Sequence, residues 1–95
     1  MAPVIWAPAA LDDVDAIADY IARDSPDRAA LFAARLIQAT DRLARFPESG
    51  RVIPEMGNPS CREVLVGDYR IMYRIETEAV WVTGVIHGAR NRQAE

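Results

Sequence analysis

The sequence predicts an α+β domain of order β-α-α-β-β-β, with a helical hairpin packed on one face of a mostly antiparallel sheet. Three observations lead there. Two successive segments between Pro8 and Phe46 carry apolar residues at three- and four-residue spacing, the period of a helix with one buried side. Three runs between Cys61 and His87 are rich in valine, isoleucine and tyrosine and alternate at the two-residue period of a strand. Between these regions, residues 47 to 60 gather Pro47, Gly50, Pro54, Gly57, Asn58 and Pro59, the composition of a long loop.

Val4-Ile5-Trp6 is a short strand, ended by Pro8. Proline suits a first helical position, because the N–H it lacks would find no partner there. From Pro8 to about Asp24, Leu11, Val14, Ile17, Ala18 and Ile21 fall on one side, the side expected to pack. Asp12, Asp15 and Asp19 fall on another side with Arg23. Asp19 and Arg23 make a favourable i,i+4 pair, and Asp12 and Asp13 suit the positive end of the helix dipole. Ser25-Pro26-Asp27 restarts a helix, with Ser25 as N-cap and Pro26 at the first position. This second helix runs to about Phe46, with Pro47 just beyond. Its apolar stripe is Ala29, Phe32, Ala33, Leu36, Leu43 and Phe46, with Thr40 inside it. Its outer stripe is Arg35, Gln38, Arg42 and Arg45, with Leu31 among them. One helix therefore shows an acidic outer face and the other a basic one. The short link Arg23-Asp24-Ser25 makes them an antiparallel hairpin.

Gly67-Asp68 reads as a two-residue hairpin turn with glycine first. It sets Val66 opposite Tyr69, Val64 opposite Ile71 and Arg62 opposite Tyr73 on one face. Leu65 then faces Arg70, Glu63 faces Met72 and Cys61 faces Arg74 on the other. A second two-residue turn at Thr77-Glu78 sets Ile75 opposite Val80, Tyr73 opposite Val82, Ile71 opposite Gly84 and Tyr69 opposite Ile86. The core face is then Val64, Val66, Tyr69, Ile71, Tyr73, Ile75, Val80, Val82 and Ile86. Glu63, Leu65, Arg70, Met72, Arg74, Trp81, Thr83, Val85 and His87 share the other face, which reads as open and amphipathic. A slip of one residue would bury the arginines, so the register is strongly specified. Gly84, alone in a strand, suggests a bulge or a close approach.

Ninety-five residues bound the chain to a single domain, 1–95, with one modest core. No apolar run reaches the roughly 18 residues of a membrane helix, and Met1 to Trp6 has no signal-peptide pattern. The single cysteine, Cys61, excludes an internal disulfide, and the cytoplasm is the expected compartment. The net charge is −3 and the isoelectric point about 5.1, against the basic balance of a protein that lives on phosphate backbones. No direct sequence-specific nucleic-acid binding is expected. All eleven basic residues are arginine, the better residue for planar and stacked contacts. There is no nucleophile motif, no phosphate-cradling glycine loop and no set of metal ligands, so neither a cofactor nor a metal is expected. On the open face, Glu63 lies diagonal to Arg70 and Arg74, an arrangement for ion pairs. Arg74 faces Trp81, an arrangement for cation–π contact.

These elements and motifs resemble the ParE/RelE superfamily of bacterial type II toxins. The resemblance rests on Trp6-x-Pro8-x-Ala10-x-x-Asp13, Tyr20-Ile21, Ser25-Pro26 and Leu43-x-x-Phe46-Pro47-x-x-Gly50-Arg51. It continues through Arg62-Glu63, Tyr69-Arg70-Ile71-x-Tyr73 and Val85-Ile86-His87-x-Ala89-Arg90, from about Ile5 to Arg92. It implies a toxin neutralised by a co-encoded, ParD-like antitoxin. It leaves two activities open. The RelE-like branch implies a ribosome-dependent mRNA endonuclease, with Arg51, Arg62, Arg70, Arg74 and His87 as candidates. Attack by a 2′-hydroxyl needs a base, an acid and cations at the phosphate, and Glu63 or His87 as base with Arg70 or Arg74 as clamp would supply them. The ParE-like branch implies a protein without that set, acting on DNA gyrase. The acidic balance, the absence of lysine and the arginines beside Glu63 favour the second branch. A partner is expected on exposed apolar anchors beside arginines: Tyr20, Leu31, Arg35, Arg42, Leu65, Arg70, Met72, Arg74 and Trp81. An antitoxin segment with an apolar helix face and acidic residues would complement them.

Overall fold

The computed structural model describes residues 1–88 and contains a five-stranded mixed sheet with two helices on one face. Strand β1 (Val4–Trp6) leads into α1 (Pro8–Ala22), and Ser25 starts α2 (Pro26–Asp41). After α2 come two short 3-10 turns, Arg42–Ala44 and Pro47–Ser49. Strands β2 (Arg51–Val52), β3 (Cys61–Val66), β4 (Tyr69–Ile75) and β5 (Val80–His87) complete the order. The sheet runs β1-β5-β4-β3-β2, with β1 parallel to β5 and every other pair antiparallel.

The hairpin and its caps follow the local chemistry. Pro8 and Pro26 occupy the first turns of their helices, and Ser25 Oγ accepts the Arg28 N–H at 3.2 Å. The expected ends, about Asp24 and Phe46, are longer than the helices found. Thr40 lies inside the core, and its hydroxyl bonds back to the Leu36 carbonyl at 2.9 Å, one turn before α2 gives way to 3-10 geometry. Two members of the expected stripes face out. Leu11 and Phe46 are exposed, and Ala10 takes the close contact to the core that Leu11 was expected to make. A small residue fits there because α1 packs directly on β5.

The core lies between the helices and one sheet face: Ala10, Phe32, Leu36 and Leu43 against Val64, Ile71, Tyr73, Val80, Val82 and Val85. The β3–β4 register is the expected one at all six pairs, from Cys61↔Arg74 to Val66↔Tyr69. Gly67 sits at φ +56°, the left-handed value that a glycine-first hairpin turn needs. The next turn also forms as expected, with Ile75 opposite Val80 and the Glu76 N–H donating to the Ala79 carbonyl.

Beyond Val82 the expected register fails. A bulge between Met72 and Tyr73 inserts one residue on β5, so Met72 faces Gly84, Ile71 faces Val85, Arg70 faces Ile86 and Tyr69 faces His87. An extra residue in a two-residue period exchanges the faces beyond it. Val85 is therefore core, Ile86 turns to the second face, and His87 joins Tyr69 on the helix side.

The second correction concerns the face expected to be open. Residues 47 to 60 are not a loop alone: Arg51 and Val52 pair with Glu63 and Arg62 as a fifth strand. The following segment folds back as a strap, and Ile53 packs with Cys61, Met72 and Ile86 in a second small core. Glu63, Arg70 and Met72 are buried beneath it. Arg70 and Met72 are consequently not surface anchors.

Candidate functional site

The strap is held by charge. Glu63, only 1% exposed, accepts from Arg51 Nε at 2.6 Å through Oε2 and from Arg70 Nε at 2.7 Å through Oε1. Arg70 reaches on to Glu55 in the strap, donating from Nη1 and Nη2 to its two carboxylate oxygens at 2.9 Å each. Two arginines and two glutamates thus form one neutral chain of ion pairs, with its middle sealed and the Arg51 end exposed. The hydrogen bond to Glu55 raises the Arg70 pKa above its already high value; desolvation by burial opposes this and Glu63 adds to it.

Two further residues fasten the same segment. The Tyr73 hydroxyl accepts the Gly50 N–H at 3.0 Å and donates to the Pro47 carbonyl. Burial pushes the Tyr73 phenol upward in pKa, partly offset by the Gly50 N–H, so it stays a donor. Arg62 donates to the carbonyls of Pro59, Glu48 and Gly50 at 2.8, 3.3 and 3.0 Å. The Gly50-Arg51…Arg62-Glu63…Arg70-x-x-Tyr73 series is therefore one fastening, with each residue bonded to another part of it or to the loop it holds.

The candidate nuclease residues are divided by the fold. Glu63 and Arg70 lie in the sealed network. Arg74 stands at the rim of the second face, bonded from Nε to Glu76 at 2.6 Å and not stacked on Trp81 as expected; among the described residues the cation–π contact is Arg23 over Tyr20, 5.9 Å from the ring centroid. His87 is exposed on the helix side, edge-on to Tyr69 at 5.3 Å, with Tyr69 in turn 5.0 Å from Phe32. Arg51 and Arg62 serve the strap. Ala89 and Arg90 lie outside the described residues.

The expected partner anchors separate into patches. Leu65 is exposed at one end of the second face, beside Arg70, while Arg74 and the half-buried Trp81 stand at the other end, with the strap between them. Tyr20 is exposed on α1 above an open groove of about 710 Å³ that Ile17, Tyr69, Ile86 and His87 also line. Leu31 and Arg35 are exposed along α2, and Arg42 is exposed in the 3-10 turn that follows it.

Sequence reasoning gave Asp13 a helix-dipole role and a place in the Trp6-x-Pro8-x-Ala10-x-x-Asp13 motif, with no bond to the sheet. Its Oδ2 accepts the Val85 N–H at 2.9 Å, across 72 residues. Strand β1 covers β5 only as far as Val82, so this carboxylate takes over where the neighbouring strand stops. Gly84 leaves the room: a Cβ there would come within 3.1 Å of Met72 Cε and 3.3 Å of Asp13 Oδ2. Asp13→Ala is expected to destabilise the fold by about 1–3 kcal/mol, because a backbone donor loses its acceptor. Urea unfolding measures the difference, and faster amide exchange at Val85 locates it.

A two-helix hairpin on a five-stranded sheet, with a strap across the sheet's second face, defines a small α+β domain. The family model for the ParE toxin of the type II toxin–antitoxin system parDE matches residues 4–92, and the chain belongs to that family. Toxin RelE2 of Caulobacter vibrioides is 41% identical over 91 residues, covering 95% of this chain and 99% of the relative. A solved chain of the chromosomal ParDE system from P. aeruginosa shares the fold, with a TM-score of 0.75 at 19% identity, over 92% of this chain and 96% of that one. Among the described residues no helix is long and apolar enough to cross a membrane.

Proposed function

We propose that this ParE-family toxin acts without catalysis, by binding and poisoning DNA gyrase and so blocking replication, and that a co-encoded ParD-like antitoxin neutralises it by direct contact. The family assignment supplies the class of protein. The observation that carries the choice of mechanism is the state of Glu63. A general base must reach the proton it removes; this carboxylate is enclosed and already spends both oxygens on Arg51 and Arg70. His87, the other candidate base, lies on the opposite side of the sheet from Arg70 and Arg74, so among the described residues neither candidate is an accessible base beside those two arginines. Binding is left to the surface, where Tyr20, Leu31, Arg35, Arg42, Leu65, Arg74 and Trp81 supply aromatic, apolar and cationic contacts of the kind that anchor interfaces.

The test uses the purified chain with gyrase and relaxed plasmid. Inhibition of supercoiling with accumulation of cleaved gyrase–DNA complexes is the expected result, and His87→Ala retains it. Unaffected supercoiling, together with ribosome-dependent cleavage of mRNA that His87→Ala abolishes, would establish the endonuclease reading instead.

A further inference from the structure

Phe46 is 62% exposed, although its spacing placed it at the end of the α2 core stripe. Its backbone is nevertheless held on both sides. The Phe46 N–H donates to the Arg42 carbonyl at 2.8 Å, and the Phe46 carbonyl accepts the Ser49 N–H at 3.0 Å. The next two carbonyls, of Pro47 and Glu48, accept from the Tyr73 hydroxyl and from Arg62. A large apolar side chain thus stands in water on a segment that the buried fastening fixes from beneath. Its exposure forgoes the gain of burial, while the fixed backbone lowers the ordering cost of any contact it makes.

Two hollows adjoin it. One, of about 480 Å³, has Arg45, Phe46, Pro47 and Ile75 in its wall. The other, of about 570 Å³, has Ile75, Ala79 and the half-buried Trp81. Ile75 belongs to both, so the two hollows meet around the end of the sheet remote from His87. Their rim is acidic. Glu48 at the first hollow and Glu78 at the second are exposed, and among the described residues neither takes part in an ion pair. Arg74 is engaged by Glu76, which leaves these two carboxylates against Arg45.

We infer that this end of the sheet is where the toxin holds its target, and that it fits a protein segment of stated chemistry. The segment inserts an aliphatic or aromatic side chain beside Phe46 and Ile75, and it carries lysine or arginine on either side of that anchor, facing Glu48 and Glu78. The apolar anchor supplies the affinity and the flanking charges supply orientation and association rate. The inference rests on the reading that the chain acts by binding gyrase. Of the exposed anchors it selects Trp81, adds Phe46, and leaves Tyr20 and Leu65 outside the target contact.

The experiment measures binding of the full-length toxin to purified gyrase holoenzyme by biolayer interferometry, with inhibition of supercoiling alongside, for variants whose circular dichroism and melting match the parent. Phe46→Ser is expected to weaken binding about 30-fold, the size of one interface hot spot, and to raise the half-inhibitory concentration in step. The double variant Glu48→Lys, Glu78→Lys alters exposed side chains alone; it slows association about tenfold at low salt, and the difference shrinks as salt rises. Met56→Ser removes a side chain of similar exposure, 54%, from the strap and leaves both readouts unchanged. A parent that neither binds gyrase nor inhibits supercoiling removes the gyrase reading and this surface with it. A parent that inhibits, with Phe46→Ser and the double variant inhibiting equally well, keeps gyrase as the target and overturns the surface. A parent that is dimeric by light scattering, and monomeric as Phe46→Ser, would give the hollow to a second copy of this chain and overturn it as well.

Discussion

Arg70→Met is expected to destabilise the protein by about 3–5 kcal/mol, the range for removing one partner of a buried ion pair. The size follows from what remains behind. Glu63 keeps Arg51, whose side chain is 57% exposed, but loses its buried partner. A carboxylate enclosed without full compensation is far costlier than one in water. Glu55 loses both of its bonds to Arg70, which loosens the strap that Ile53 and Arg62 still hold. Urea unfolding gives the magnitude, and hydrogen exchange shows whether residues 53 to 58 open first. Glu63→Gln added to Arg70→Met removes the stranded charge, so the double variant is expected to regain more than half of the loss. A single-variant loss under about 1 kcal/mol, the ordinary value of a surface pair, would show that the network contributes no more than an exposed one.

Gly50→Ala is expected to cost about 1–3 kcal/mol, the range for overpacking a close-packed site. The reason is space, since Gly50 has an ordinary extended backbone with φ −78°. A Cβ there would lie 2.6 Å from the Tyr73 hydroxyl and 2.6 Å from the Glu63 carbonyl oxygen. Neither atom can yield cheaply. The hydroxyl is tied to Gly50 and Pro47, and the carbonyl belongs to the middle of β3. Tyr73→Phe removes the first obstacle and not the second. The pair should therefore be non-additive, the Gly50→Ala loss being smaller in the Tyr73→Phe background but still present. A double-mutant cycle by urea unfolding measures the coupling. An additive result would mean that the tyrosine does not hold the glycine in place.

Both expectations rest on contacts that the sequence does not display. Arg70 and Glu55 are 15 residues apart, Tyr73 and Gly50 are 23, and Asp13 and Val85 are 72. The helices, by contrast, were legible because their spacing, Pro8, Pro26 and Ser25 act within a turn or two. The β3–β4 register was legible because a two-residue turn with glycine first fixes the pairing of both strands. The same reasoning carried to β5 held only to Val82. A bulge changes the count without changing composition, and Gly84 signalled an irregularity without its direction. That one residue moved His87 away from the arginines with which it had been grouped.

The candidate site divides in the same way. Alternation alone separated the faces of β3 and β4 and placed Glu63, Arg70, Met72 and Arg74 on one side, as found. Whether that side met water depended on residues 51 to 60, whose prolines and glycines carry no period to read. Their path is set by Ile53 under the strap and by the arginines that grip it. The sequence by itself therefore determined both helices, four of the five strands, the β3–β4 register and the family, because these depend on local periodicity, turn chemistry and short motifs. Only the tertiary structure decided that a strap covers the second face, that the motif arginines hold that strap, and that His87 lies on the helix side. Those outcomes depend on charge and packing between segments far apart in the chain, which meet only after the sheet has formed.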